Sequence, residues 1–253
     1  MNPRFLGDTA LLTGRSLRHI ARSPDTIITT TIMPIAFMLM FVYVFGGAMH
    51  TGTGPYVDYL LPGILLITIA SSIAYTAFRL FMDMKSGIIE RFRSMPISRS
   101  SVLWAQVLTS LVATTISVVV VVLVALLMGF RSSAGVLAWL AVAGILLLFT
   151  LALTWLAVIA GLSAKTVDGA SAFSYPLIFL PFVSSAFVLT ATMPGPVRAF
   201  AENQPVTPIV DAIRDLYTQQ PVSSGLWVAL AWCLGILVVG YAVAMAAYRR
   251  TTG

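Results

Sequence analysis

Long apolar runs alternate with short charged connections along nearly the whole chain. Six runs, about Thr26–Gly46, Tyr59–Phe78, Ser101–Phe130, Gly135–Ala164, Ser171–Thr192 and Leu226–Tyr248, reach the length of a membrane crossing. A helix needs about 20 apolar residues to cross roughly 30 Å of hydrocarbon, so each run predicts a spanning helix. Prolines mark the irregular ones. Pro34 interrupts the first run, Pro62 sits at the mouth of the second, and Pro176 with Pro181 predicts a kink or break in the fifth. The expected fold is an all-α polytopic membrane protein of six transmembrane helices, one domain over 1–253.

Three pieces lie outside the runs. In 1–25, Leu6, Ala10, Leu17 and Ile20 share one helical face, with Arg15, Arg18 and Arg22 on another. That pattern predicts an interfacial helix on a membrane surface, ended by Pro24. The stretch 83–100 is a compact charged island. The connection 193–225 is too long and too patterned for a plain loop. There Thr207 is placed to cap a helix opening at Pro208. Ile209, Ile213 and Leu216 would then face inward, with Asp211, Arg214 and Asp215 turned to water.

Composition removes the alternative of a soluble fold. Of the 253 residues, 58% are hydrophobic and only 9% charged, against roughly 25% charged in soluble domains. The net charge of +6 does not point to nucleic acid, because the basic residues cluster between apolar runs. They also set the orientation. With the amino terminus inside, twelve basic residues fall inside and only Arg131, Arg198 and Arg214 outside. Both termini are therefore expected in the cytoplasm of a bacterial plasma membrane. The first run lacks a convincing cleavage site and reads as a span. Cys233 stands alone, without a disulfide framework or metal-ligand spacing.

The chemistry that other membrane proteins carry is missing. The runs hold almost no ionisable side chains, and Arg79 lies where it can snorkel to the membrane edge. His19 and His50 fall outside them. There is no H-E-x-x-H, no G-x-S-x-G, no paired carboxylates within a run and no phosphate-binding glycine loop before Lys85 or Lys165. No catalytic residue, metal site or bound cofactor is expected, and an intramembrane enzyme is disfavoured. Energy for uphill transport would have to come from another polypeptide.

That turns attention to the island. Ile88, Phe92 and Met95 recur at helical spacing, Ile89 widens the stripe, and Lys85, Glu90, Arg91 and Arg93 occupy other faces. Pro96 ends the pattern and Ser98 can cap the next span. A two-faced cytoplasmic helix fits a partner's groove. It equally fits a basic loop that fixes topology and rests on the headgroups.

The segment Gly87–Leu108, "GIIERFRSMPISRSSVLWAQVL", resembles the cytoplasmic loop of the ABC type-2 exporter permeases, a group typified by daunorubicin-resistance and other drug or polysaccharide permeases. The likeness rests on Gly87, the pair Glu90–Arg91, Pro96–Ile97 and Ser98–Arg99. "NQPVTPIVDAIRDLY" is similar to the family's region before the last span through Asn203, Pro205, Asp211 and Arg214, with Gln204 as a departure.

The resemblance implies a re-entrant outer segment before the last helix and a coupling helix formed by Gly87, Glu90, Arg91, Phe92, Met95 and Pro96. That helix would dock on a separate ABC ATPase subunit, present in two copies, which binds the ATP and Mg. A second permease chain, as a homodimer, completes such a complex. The implied substrate path runs along the first, second and fifth spans. There Phe37, Phe41, Tyr75, Phe179 and Phe182 supply an aromatic lining, and Thr30, Ser71, Ser72 and Ser184 sparse polar points. Such a lining suits a hydrophobic or amphipathic cargo, a drug or lipid; ordinary helix packing explains the same residues. Export of a polysaccharide or lipid-linked glycan, and an energy-independent channel or anchor, are the alternatives.

Overall fold

The computed structural model describes residues 13–14, 25–47, 55–87, 99–219 and 225–252. Every element among them is helical. Helix α1 (Asp25–Leu39) runs on into a π-helical segment, Met40–Phe45. Helices α2 (Tyr56–Lys85), α3 (Arg99–Leu127) and α4 (Val136–Ser163) follow. The chain then breaks into short pieces: α5 (Val167–Ala172), α6 (Ser174–Phe179) and the 3-10 turns Leu180–Val183 and Thr190–Thr192. Helices α7 (Gly195–Asn203) and α8 (Val206–Tyr217) lead to the last long helix, α9 (Gly225–Thr252).

Among the described residues, four helices are long and apolar enough to cross a membrane: α2, α3 from Leu103, α4, and α9 to Tyr248. The fifth expected span is a shorter apolar stretch, Val167–Val183, and the apolar stretch Thr30–Phe45 lies within the continuous helix Asp25–Phe45 of the first. Two proline readings need correction. α1 passes through Pro34, and its departure from α geometry comes later, at Met40. α2 starts at Tyr56, which places Pro62 inside the helix and buried rather than at its mouth. The fifth segment does break as its prolines predict. Pro176 falls in the first turn of α6 and Pro181 in that of the following 3-10 turn, positions where a missing N–H leaves no helical bond unmade. Residues 1–12 and 15–24 of the expected interfacial helix lie outside the described residues.

α2 is the hub of the bundle, and every residue from Leu60 to Ala70 is buried. α1, α3, α4, the α5–α6 segment and α8 pack around it, while α9 lies against α4 and α8. Gly240 allows that last contact, since a Cβ there would stand 3.3 Å from the Trp155 Cβ. At the far end of α2, a smaller core joins Leu80, Leu103, Val107, Trp155, Val158, Ala244 and Tyr248. There Trp155 meets Trp104 at 5.3 Å and Tyr241 at 4.9 Å, both edge to face.

The outward faces are apolar as well. Leu127 is 87% exposed, Leu137 81% and Trp227 72%. Apolar area of this extent is stable only against hydrocarbon. With helices of about 40–45 Å, at 1.5 Å per residue, it identifies a multi-pass membrane protein.

Candidate functional site

Two distinct sites form where the sequence suggests one path. The first is aromatic and lies between α1 and the broken fifth segment. Phe182 sits 5.5 Å from Phe37, 6.2 Å from Phe41 and 6.2 Å from Phe179, centroid to centroid. Phe187, missed in the sequence, completes it: it stacks on Phe182 at 4.9 Å and meets Phe41 at 4.8 Å. The break after Phe179 makes this possible, because the turn carries Phe182 and Phe187 back toward α1. Phe179 is 64% exposed while Phe37, Phe41 and Phe182 are half-buried, so the cluster grades from core to outer face.

The second site is polar. Hydroxyls of α1, α2 and α3 surround a cavity of about 30 Å³ in the half of the bundle where α1 and α3 begin and α2 ends. Thr30 and Ser117 bond at 3.2 Å, and Thr76 and Ser110 at 2.6 Å. Ser72, Tyr75, Arg79 and Gln106 also line it. The Ser72 Oγ and Thr114 Oγ1 are buried without a hydrogen-bond partner. The spacing of Gln106, Ser110, Thr114 and Ser117 on one face of α3 was the available signal.

The predicted site residues thus separate. Phe37, Phe41, Phe179 and Phe182 come together in the aromatic cluster. Ser72, Tyr75 and Thr30 line the polar cavity. Ser71 is half-buried and lines neither. Ser184 serves its own turn, donating to the Pro181 carbonyl at 2.6 Å and accepting from the Ala186 N–H at 3.1 Å. Of the expected coupling helix, Gly87 ends α2 with φ +70°, the left-handed conformation that glycine adopts freely. Its N–H donates to the Met84 carbonyl at 3.2 Å. Glu90, Arg91, Phe92, Met95 and Pro96 lie outside the described residues.

The opposite end of the bundle is closed by α8, and here the sequence reading is corrected. α8 begins at Val206, so Thr207 does not cap it; its hydroxyl donates to the Ala201 carbonyl of α7 at 2.5 Å. Arg214 does not point to water. Its guanidinium donates to the Tyr59 carbonyl at 3.0 Å, the Ser185 carbonyl at 2.9 Å and the Asp211 carboxylate at 2.9 Å, and it stacks 3.9 Å above the Tyr59 ring. Asp211 also accepts from the Ser185 hydroxyl at 2.6 Å. Burial of Asp211 pushes its carboxyl above the usual range, outweighing the charge-stabilising Ser185 hydroxyl and Arg214. The Tyr217 hydroxyl donates to the Asp58 carbonyl, and the Tyr217 carbonyl accepts from Ser132 at 2.9 Å. Gln204, the departure from the family pattern, is buried and donates to the Val183 carbonyl at 2.7 Å.

Residues 8–218 match the family described as ABC-2 type transporter. The "Daunorubicin resistance ABC transporter permease protein DrrB1" of Streptomyces coeruleorubidus is 29% identical, over 93% of this chain and 84% of its own. The "Probable doxorubicin resistance ABC transporter permease protein DrrC" of Mycobacterium tuberculosis (strain ATCC 25618 / H37Rv) is 27% identical, over 98% of this chain and 90% of its own.

Proposed function

Because the chain belongs to the ABC-2 type transporter family, we propose that it is the membrane subunit of an ATP-driven exporter for a hydrophobic or amphipathic compound, drug or lipid. ATP hydrolysis then belongs to a separate ABC ATPase chain. The names of the relatives bring drug resistance to the proposal. The aromatic cluster between α1 and the broken fifth segment carries the cargo class, since exposed phenyl edges offer area to an apolar molecule and no charge to an ion.

Two copies of this chain pair with two ATPase subunits in the plasma membrane, with both termini cytoplasmic. The excess of basic residues at the end holding Arg79, Lys85 and Lys165 supports that orientation. The segment 88–98 is the coupling helix, with Phe92 and Met95 as packing anchors and Glu90 and Arg91 as the charged contacts that orient it. Gly87 supports this reading by turning the chain sharply where α2 ends. ATP drives the change between inward- and outward-facing states only insofar as it favours one of them.

The test is ATP hydrolysis by the reconstituted complex, stimulated by hydrophobic drugs. Phe179→Ala with Phe182→Ala should lower the stimulation at least fivefold while basal hydrolysis persists. Unchanged stimulation would move the cargo path away from the cluster.

A further inference from the structure

The aromatic cluster leaves the polar cavity unexplained. Its volume, about 30 Å³, admits two waters at roughly 10–15 Å³ each, or one small acceptor group in their place. Its walls are tied together by the Thr30–Ser117 and Thr76–Ser110 bonds. The Ser72 Oγ and Thr114 Oγ1 keep unused hydrogen-bonding capacity although both are buried, which costs free energy unless something else accepts from them. The lining holds one formal charge, that of Arg79, and no carboxylate. A guanidinium with donor hydroxyls close by matches an acidic oxygen group and repels a cation.

We propose that this cavity binds the acidic head, phosphate or carboxylate, of an amphiphile. Arg79 supplies the charge, and the Ser72 and Thr114 hydroxyls donate hydrogen bonds to the head oxygens. The tail stays in hydrocarbon. The cavity lies in the half of the bundle where α1 and α3 begin and α2 ends, the half turned to the cytoplasmic leaflet in the exporter reading. Only the identification of the head group as cargo rests on that reading. A membrane phospholipid presents the same chemistry as an exported acidic amphiphile.

The measurement uses the full chain in nanodiscs of phosphatidylcholine, with radiolabelled dodecyl phosphate as the probe. Saturable binding is expected, with an affinity at least tenfold above that for dodecyltrimethylammonium, which has the same tail and the opposite charge. Arg79→Gln should remove the preference, and the isosteric Thr114→Val should weaken dodecyl phosphate about fivefold. Equal affinity for the two heads in the unsubstituted chain overturns the proposal, as does a preference that survives both substitutions. Since Arg79→Gln could impair insertion, Thr114→Val decides independently. Nanodiscs containing phosphatidylglycerol separate the sources: loss of probe binding there supports the site with a membrane lipid as its occupant. Retained binding supports it with an exported amphiphile. Capture of the ATPase subunit is read in parallel. A chain that binds dodecyl phosphate but captures no ATPase keeps the site and loses the exporter reading. Capture without head-group preference does the reverse.

Discussion

Arg214 joins three parts of the chain that are far apart in sequence: α8, the amino-terminal end of α2 through Tyr59, and the turn at Ser185. Its guanidinium is well shielded from solvent at 17% exposure, with the Asp211 carboxylate at 42%. Hydrogen bonds from a charged group contribute about 1.5–3 kcal/mol each in such places, though not additively. Arg214→Ala should lower the unfolding free energy in detergent by about 3 kcal/mol, measured as a shifted thermal midpoint. Arg214→Lys should recover less than half, because one ammonium cannot replace a planar fork that also stacks on Tyr59. Full recovery by Lys would reduce the site to a simple charge pair. Gln204 is a milder case: Gln204→Ala removes the hydrogen bond to the Val183 carbonyl and should cost about 1–2 kcal/mol. Neither role was legible in the sequence. Helical periodicity placed Ile209 and Ile213 inside correctly, but it assigned Asp211 and Arg214 to water because it knows only one helix. The partners of Arg214 lie 155 and 29 residues away, and only the fold brings them near.

The long elements are the part of the fold that the sequence displays best. Hydrocarbon accepts only a helix across its thickness, so the apolar runs translate directly into α2, α3, α4 and α9, with ends moved by a few residues. The extra length of α2, to Lys85, escaped the apolar count because its last turns carry Arg79, Asp83 and Lys85. Where backbone is broken, composition says less. Pro176 and Pro181 marked the break, yet nothing in the pattern showed that Ser184–Phe187 would cross over α2. That crossing depends on Gly63, where a Cβ would come within 2.6 Å of the Ala186 Cβ and 3.3 Å of the Phe187 ring. Gly63 is helical, so its alanine variant gains helix propensity of about 1 kcal/mol and must still push the crossing strand of chain away. Gly63→Leu should displace Phe187, loosen the stacked Phe182, and reduce drug stimulation of ATP hydrolysis as strongly as loss of the phenylalanines themselves. The chain should still insert and reach the membrane. Undiminished stimulation would show that the crossing is not needed to build the cluster.

At the scale of the molecule, the two sites lie at different depths along α2, with the aromatic cluster toward the Gly63 end and the polar cavity between Ser72 and Arg79. In the exporter reading, an amphiphile entering from the carboxyl-terminal end of α2 meets the polar donors first and the aromatic area later. Coupling, in the same reading, enters through the connection between α2 and α3, which are packed on each other and frame the cavity. If 88–98 is a docking lever, a charge placed in its apolar stripe should separate docking from insertion. Phe92→Asp should abolish co-purification of the ATPase subunit while membrane yield stays unchanged, and Glu90→Arg should allow partial capture with transport reduced at least tenfold. Gly87→Ala probes the same link from the α2 side. A methyl at φ +70° strains the turn by about 1 kcal/mol, enough to misdirect the lever without unfolding α2, so ATP hydrolysis should persist while efflux falls. If all three variants export at the unsubstituted rate, the island is a topology signal and the energy enters this protein elsewhere.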